Sequence, residues 1–478
     1  MSSHPRRWAA LSVIALAQFV VIMDTSIIGV ALPRMREDLG FSPDGLQWVF
    51  NAFVIAFGGL LLLGGRLSDL LGARRVFSAG WGILLAGSVV SALAGSTGVE
   101  LVGRAVQGAG SALIAPAALT LLMTLFGGTA ELPRALAFYG AAAPAGGTAG
   151  VFLGGVITEW LSWPWIFWLY VPIALAVLLA APFVMPANPG RAGAVDVVGA
   201  VTVTGGLALA VLGVVRAPSV GWGSAETLGT LAGAVVLLST FLVLEAGVRA
   251  PLVRLGIFRS PMLGAANLAQ LLLGAAWVPL WYFLNLYLQQ VLGYGAFASG
   301  SALLPMTVLI MVLMVAVAPK LITHFGVKPL IVGGLVALAA GLFWLSTASP
   351  TGTFAVDVLP ASLVAALGQA LAFIPSLGTA LSSAPSEDGG LAAGIVNTSY
   401  QIGSALGLAA MTAVAATHGG NRVGEAFALT NGYTAAFTGA AVIALAGAVL
   451  VAVTLRTPRS GDRDAEDAAR QHLTDANV

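Results

Sequence analysis

Two ionisable residues lie where ionisable residues are expensive. Asp24 is the only carboxylate well inside a long apolar run, and Arg104 is the only basic residue inside one. A charged aspartate at the centre of a bilayer costs about 2.5–3.5 kcal/mol on insertion scales, so such a residue normally faces a cavity or a partner. The chemistry open to it is proton exchange. Burial and a nearby cation pull a carboxyl's protonation in opposite directions, which is what a proton-binding switch needs. Arginine cannot lose its proton, so Arg104 can tune an aspartate without titrating itself. Arg104 follows Glu100, where its apolar run begins, by a turn or so, a depth that can match that of Asp24. The structural alternatives are a neutral Asp24 hydrogen-bonded between helices and an Arg104 that only anchors backbone carbonyls.

Other chemistry lacks its residues. Lys320 follows Pro319 and Lys328 follows Val327, so no Gly-rich loop ending in Gly-Lys-Ser/Thr exists to cradle a nucleotide's phosphates. No Gly-x-Ser-x-Gly elbow is present, and His4, His324, His418 and His472 are scattered without metal-binding spacing. With no cysteine, disulfides, thiolate metal sites and cysteine nucleophiles are excluded. No enzyme, metal site or cofactor is expected. The net charge of +1 points to no nucleic-acid partner.

The elements that must position Asp24 and Arg104 are set by composition. Of 478 residues, 58% are hydrophobic and 9% charged, against roughly 25% charged in a soluble domain, so most of the surface faces lipid. A spanning helix needs about 20 apolar residues. Fourteen runs qualify, at 9–31, 45–64, 76–95, 99–122, 135–158, 165–184, 196–215, 227–246, 262–289, 298–318, 329–347, 356–380, 390–415 and 433–455. Placing the N-terminus inside puts sixteen Lys and Arg residues in inner segments and four in outer loops, so both termini are expected in the cytoplasm. The first run carries an acid and no small-residue cleavage site, so it reads as a retained helix.

The expected fold is an all-α polytopic membrane protein of two six-helix bundles plus a two-helix insert. Residues 1–190 form the first bundle, 191–255 an extra hairpin and linker, 256–457 the second bundle, and 458–478 a disordered tail. The basic stretch from Arg249 to Arg259 is amphipathic and suits the inner interface. Glu245 and Asp357, near helix ends, read as solvated. In the fifth run Gly146, Gly150 and Gly154 recur every four residues, with Gly147 and Gly155 beside them. That spacing bares one helix face to a close neighbour, for static packing or as a pivot.

These residues resemble the fourteen-helix drug:proton antiporters of the major facilitator superfamily, over nearly the whole chain. Asp24 to Pro33 looks like that branch's helix-1 signature, and Gly65-Arg66-Leu67-Ser68-Asp69-Leu70-Leu71-Gly72-Ala73-Arg74-Arg75 is similar to the superfamily's loop 2–3 motif. Arg104 to Gly110 resembles the helix-4 motif associated with proton coupling, and Gly146 to Gly155 the antiporter motif of helix 5. Further matches are Ser162 to Pro172, Tyr287 to Gly293 and Asn397 to Gly403. Val151 stands where the helix-5 motif has proline, Leu70 where a basic residue follows Asp69, Pro164 where arginine is usual, and Tyr170 where asparagine is usual.

The resemblance implies a proton-coupled exporter of small organic molecules or drugs across the cytoplasmic membrane. Asp24 and Arg104 would couple protons, and Asp69 would lock the bundles on the cytoplasmic side. Gly65, Gly72, Arg74, Arg75 and the helix-5 glycines would serve the conformational switch. The cavity wall is expected to include Gln18, Asn51, Asn285, Asn397 and Gln401, with Trp277 and Trp281 as apolar or cation–π surfaces. Each of these amides has interhelical hydrogen bonding as its bland alternative. The partners are then a small-molecule substrate, protons and the lipid bilayer, with the chain a monomer. An importer or uniporter of a small metabolite on the same scaffold is the second reading, kept by Val151.

Overall fold

A computed structural model describes residues 6–455, apart from 42, 188–189, 191–195, 248–255, 258–259, 386–387 and 423. The expected tail at 458–478 and most of the stretch from Arg249 to Arg259 lie outside the described residues. A helix stands at each of the fourteen expected positions. They are α1 (Arg7–Leu39), α2 (Pro43–Leu71), α3 (Ala73–Ala92), α4 (Thr97–Phe126) and α5 (Leu132–Trp160). Next come α6 (Pro164–Val184), α7 (Val197–Val220) and α8 (Ala225–Gly247). The rest are α9 (Pro261–Val291), α10 (Phe297–Phe325) and α12 (Phe354–Ser382), with α11 (Val327–Leu345), α13 (Gly389–Thr417) and α14 (Ala426–Thr454).

Among the described residues, twelve helices are long and apolar enough to cross a membrane on length and composition alone. The other two have physical reasons to fall short. α7 offers a shorter apolar stretch, Val198–Val214. α13 has 29 residues, roughly 43 Å of helix, but Asn397, Thr398, Ser399, Tyr400, Gln401 and Ser404 dilute its hydropathy. Intramembrane polar groups of this kind are tolerated where a helix faces a cavity, and α13 does so.

In the first bundle α1 packs along α5 and touches α4, while α4 packs against α2 and α3. In the second, α9 packs with α13 and α14, and α11 with α12 and α14. α7 and α8 pair as a hairpin, and α7 rests on both α2 and α13, one helix from each bundle. α2 and α3 are separated by a sharp break at Gly72, whose φ of 91° is left-handed backbone that favours glycine.

Polar groups tie the helix ends. Where the chain begins, Arg7 of α1 pairs with Glu131 at 2.6 Å, and Arg74 Nη1 donates to the Met185 carbonyl at 3.4 Å. At the opposite end the Trp163 indole N–H donates to Asp38 at 2.8 Å, and Arg216 of α7 pairs with Glu226 of α8. Glu245, read as solvated from its place at a helix end, is instead buried against the hairpin, 4% exposed, facing Gly199 of α7.

Candidate functional site

Asp24 and Arg104 meet inside the first bundle. α1 and α4 cross there, and each buries one charge that would be ruinous alone. Arg104 Nη1 donates to both carboxylate oxygens of Asp24, at 3.0 and 2.7 Å. Arg104 also donates from Nε to the Val49 carbonyl of α2 at 3.0 Å and from Nη1 to Gln107 Oε1 at 2.7 Å. Gln107 passes the network on, donating to Ser88 Oγ of α3 at 2.8 Å. The guanidinium lies 4.7 Å from the centre of the Phe53 ring and 6.0 Å from that of Phe167. Arg104 is wholly buried and Asp24 nearly so. Tyr170 of α6, also buried, brings its hydroxyl beside Asp24 without reaching hydrogen-bond geometry. Five of the six helices of the bundle thus converge on one ion pair.

A second site lies between the bundles. A cavity of about 950 Å³ takes its wall from α1, α2, α4, α5 and α7 on one side and α9, α10, α12 and α13 on the other. Gln18, Asn51, Trp277, Trp281, Asn397 and Gln401 all line it, as do Gln270, Gln369, Tyr139 and Tyr400. The two indoles meet edge to face with ring centres 6.2 Å apart, and Tyr139 donates to Gln18 at 2.8 Å. Asn285 lies outside this wall. It accepts from the Ser299 hydroxyl and from Gln289 Nε2 at 3.1 Å, inside the second bundle near the opposite end.

Among the described residues, no Asp, Glu, Lys, Arg or His lines the cavity. Asp24 therefore faces away from it, while its neighbours Ile22, Thr25 and Ser26 face in. The ion pair and the cavity sit on opposite faces of α1.

The remaining site residues cluster on α2, α5 and their contacts. Gly146 and Gly150 let α5 close onto α1: a methyl at Gly146 would strike the Phe19 carbonyl, and one at Gly150 would lie 2.7 Å from the Met23 carbonyl. Gly154 is buried, whereas Gly155 faces open space. Val151, in the motif's proline position, reaches across the seam to Gly300 of α10. Gly65 abuts Gly390 and Gly394 of α13, and Asp69 accepts from the backbone N–H groups of Gly390 and Leu391 at 2.7 and 2.9 Å. A carboxylate on a helix N-terminus satisfies amides that have no partner within the helix. Arg75, in the first turn of α3, is exposed.

Several residues of the ion-pair pocket escape a reading of the sequence. Phe53, Phe167, Ser88 and the Val49 carbonyl carry no signal before the helices are assembled. Tyr170 reads only as a departure from a motif. Glu100, read as the point where α4 begins, is completely buried, 0% exposed; its distance of four residues from Arg104 was the available clue.

Two helical bundles about a shared cavity, with a buried ion pair in one of them, are the architecture of a secondary transporter that spans the membrane many times. The chain belongs to the Major Facilitator Superfamily, whose family model matches residues 14–408. It is 40% identical over 455 residues to a cephamycin export protein of Amycolatopsis lactamdurans, covering 94% of this chain and 93% of that one. It is 35% identical over 462 residues to a puromycin resistance protein of Streptomyces alboniger, with 94% and 92% covered. A tetracenomycin C resistance and export protein of Streptomyces glaucescens is 31% identical over 88% of this chain and 78% of its own length. Among solved structures, a proton:xylose symporter superposes with a TM-score of 0.67 at 15% identity, covering 95% and 97% of the two chains. The human organic anion transporter MFSD10 gives 0.66 at 17% identity, covering 94% and 100%. At such identities these two speak for the fold alone.

Proposed function

We propose that this protein is a proton-driven exporter of small organic antibiotics or related drugs across the cytoplasmic membrane, with both termini in the cytoplasm. The single observation that carries the mechanism is the buried Asp24–Arg104 pair on the face of α1 that turns away from the cavity. Export of antibiotics is supported by the relatives, among them proteins of cephamycin export and of puromycin and tetracenomycin C resistance. The orientation rests on the bias of arginine toward segments on the side of the N-terminus.

Substrate and proton do not compete for one carboxylate in this arrangement. Protonation of Asp24 weakens its hold on Arg104, α1 is freed to shift against α4, and the cavity wall formed by Ile22, Thr25 and Ser26 shifts with it. Coupling is carried by α1, clamped between the ion pair and the close glycine face of α5. Each proton moving inward supplies about 2.3 kcal/mol per 100 mV of membrane potential, before any pH gradient. Asp69 and the α13 N-terminus act as the cytoplasmic latch between the bundles, and the chain works as a monomer.

The test is proton movement in proteoliposomes holding the full chain, with puromycin and tetracenomycin C as probes. A probe that dissipates an imposed pH gradient through the intact protein, but not through Asp24→Asn, supports the reading. Equal responses from both proteins would overturn the role of Asp24. Accumulation of probe driven by the protein, in place of its expulsion, would favour the importer.

A further inference from the structure

Glu100 has no part in the mechanism above, yet it is placed within it. It stands in the first turn of α4, four residues before Arg104, so the two share a helix face. Acidic side chains are common in first turns because the helix dipole favours them there, but they are ordinarily solvated. Glu100 is completely buried.

The hydrogen bonding around it is incomplete in a patterned way. Among the described residues, no group reaches full hydrogen-bond geometry with either carboxyl oxygen of Glu100 or with Arg104 Nη2, although the Ser91 hydroxyl of α3 stands beside the Glu100 carboxyl. Ser91 Oγ lies over Gly103, between Glu100 and Arg104 in the chain, and is the one hydroxyl among the described residues that approaches Glu100. Every other polar atom of the Arg104 guanidinium is used, on Asp24, Val49 and Gln107. Buried polar groups are nearly always paired, and each exception calls for a reason. An unused donor on Arg104 and two unused acceptors one helical turn away are what a second pairing of the same cation requires. The charged groups facing Glu100 are Arg104 on its own helix and Asp24 from α1; α3 contributes only the Ser91 hydroxyl.

We propose that Glu100 is a second proton carrier that alternates with Asp24 as the partner of Arg104. This rests on the proton-coupling reading. In the arrangement seen, Asp24 is the anion paired with Arg104, and Glu100 holds a proton, since an ionised carboxylate buried without a partner is costly. In the alternative arrangement Arg104 turns its Nη2 toward Glu100. The O–H bond of Glu100 breaks, its proton bonds to a carboxylate oxygen of Asp24, and Glu100 becomes the paired anion. The cluster holds one cation, one anion and one neutral acid before and after. A proton thereby passes the Arg104 charge without any step that leaves a buried charge alone. Glu100 sits nearer the α4 N-terminus, so it is the member that reloads from outside, and Asp24 the member that delivers inward.

The experiment uses the purified full chain and its Glu100→Gln, Glu100→Asp and Asp24→Asn variants, each checked for a monodisperse fold. Infrared difference spectra between neutral and alkaline pH should show the loss of a protonated-carboxyl C=O band, which is absent in Glu100→Gln and shifted in Glu100→Asp. In proteoliposomes with puromycin as probe, Glu100→Gln should cut proton movement by about tenfold or more, with puromycin binding retained. Glu100→Asp should restore part of the movement. A Glu100→Gln protein that keeps the band and moves protons like the parent overturns the proposal and leaves Glu100 a plain helix-end acid. If Glu100→Gln does not fold, the Glu100→Asp band decides alone, an unshifted band being the negative result. Should the intact protein move no protons with puromycin, the proton-coupling reading fails, while the infrared arm still reports whether Glu100 carries a proton.

Discussion

Thr148 of α5 and Thr307 of α10 share a hydrogen bond of 2.6 Å between their side-chain hydroxyls, across the seam that divides the bundles. Beside it Val151 fills the space over Gly300 and Phe152 meets Phe297. At the end where the chain begins, the seam is closed by Asp69 on the α13 amides. The two closures differ in kind. One is a neutral hydroxyl pair with apolar packing; the other is a carboxylate on a helix N-terminus, a type of bond roughly twice as strong as a neutral one. A transporter that rocks about a central cavity must break each in turn, so their unequal strengths bias the resting state.

Asp69→Asn keeps the shape but loses the charge, and with it about 1–2 kcal/mol, enough to change the population of open forms by about 5–30-fold. The natural chain has no cysteine, so a single Leu136→Cys reports cleanly. Leu136 is buried against Gly378 at the same end of the seam. Its thiol labelling rate should rise several-fold when Asp69→Asn is added. Thr148→Val should change that rate little. Equal effects from both substitutions would mean that the latch is not at Asp69.

The ion pair should respond asymmetrically to losing each member. Arg104→Ala strips Asp24, the Val49 carbonyl and Gln107 of their shared donor at once and empties the space of a wholly buried side chain, a lesion of about 3–5 kcal/mol. Asp24→Asn leaves an arginine that still reaches the Val49 carbonyl and Gln107. Thermal unfolding in detergent should therefore fall more for Arg104→Ala than for Asp24→Asn, while both abolish proton movement. Arg104→Lys should also fail to transport. A single ammonium cannot reach Asp24, Val49 and Gln107 in the planar geometry that the guanidinium holds. A fully active Arg104→Lys would show that only the charge matters.

How much of this could be read from the chain depends on contrast. Asp24 and Arg104 stand out because nothing around them is charged, and their pairing follows from matched depth. The helices were legible for the same reason, although among the described residues α7 and α13 fall short of the other twelve in length or hydropathy. Glu100 was not legible because an acid at the edge of an apolar run looks solvated until α3 and α1 are folded over it. Asn285 shows the limit of spacing arguments. Sequence periodicity places it on α9, but the partner that claims it, Ser299, lies beyond a helix break at Gly293, where φ is 71°. Glu245 was misread likewise, since the hairpin of α7 and α8 covers the helix end that holds it. That the cavity and Asp24 lie on opposite faces of α1 needed the neighbours of α1 to be known.

Those opposite faces make the glycines of α5 decisive for coupling. Gly150→Ala places a methyl 2.7 Å from the Met23 carbonyl and 2.9 Å from the Ser26 side chain, so α1 must move away from α5. Overpacking of this kind costs typically about 1–3 kcal/mol. Gly155→Ala meets nothing within 4 Å and should be within about 0.5 kcal/mol of neutral. Measured as probe efflux per molecule of folded protein, Gly150→Ala should be severely impaired and Gly155→Ala normal. The reverse order would remove the α1–α5 contact from the coupling path.

The cavity itself predicts a preference by charge. Its polar groups are amides, hydroxyls and indoles, and among the described residues no ionisable Asp, Glu, Lys, Arg or His reaches its wall. A ligand that carries net charge must leave water for a space that offers dipoles and ring faces but no counter-ion. A neutral aromatic amide loses far less, because Gln18, Asn51, Gln270 and Gln401 can pair its polar groups while Trp277 and Trp281 cover its rings. Cation–π contact with the two indoles offsets the loss for a cation by about 0.5–2 kcal/mol, which nothing matches for an anion. The order of affinity should therefore be neutral, then cationic, then anionic, across a naphthyl amide, its quaternary ammonium analogue and its carboxylate analogue. Binding to the purified full chain by tryptophan fluorescence measures it directly. Trp277→Ala should then weaken the cationic analogue more than the neutral one, because only the cation draws on the ring's charge distribution. A carboxylate probe that binds best would place a cation in the wall that the described residues do not supply.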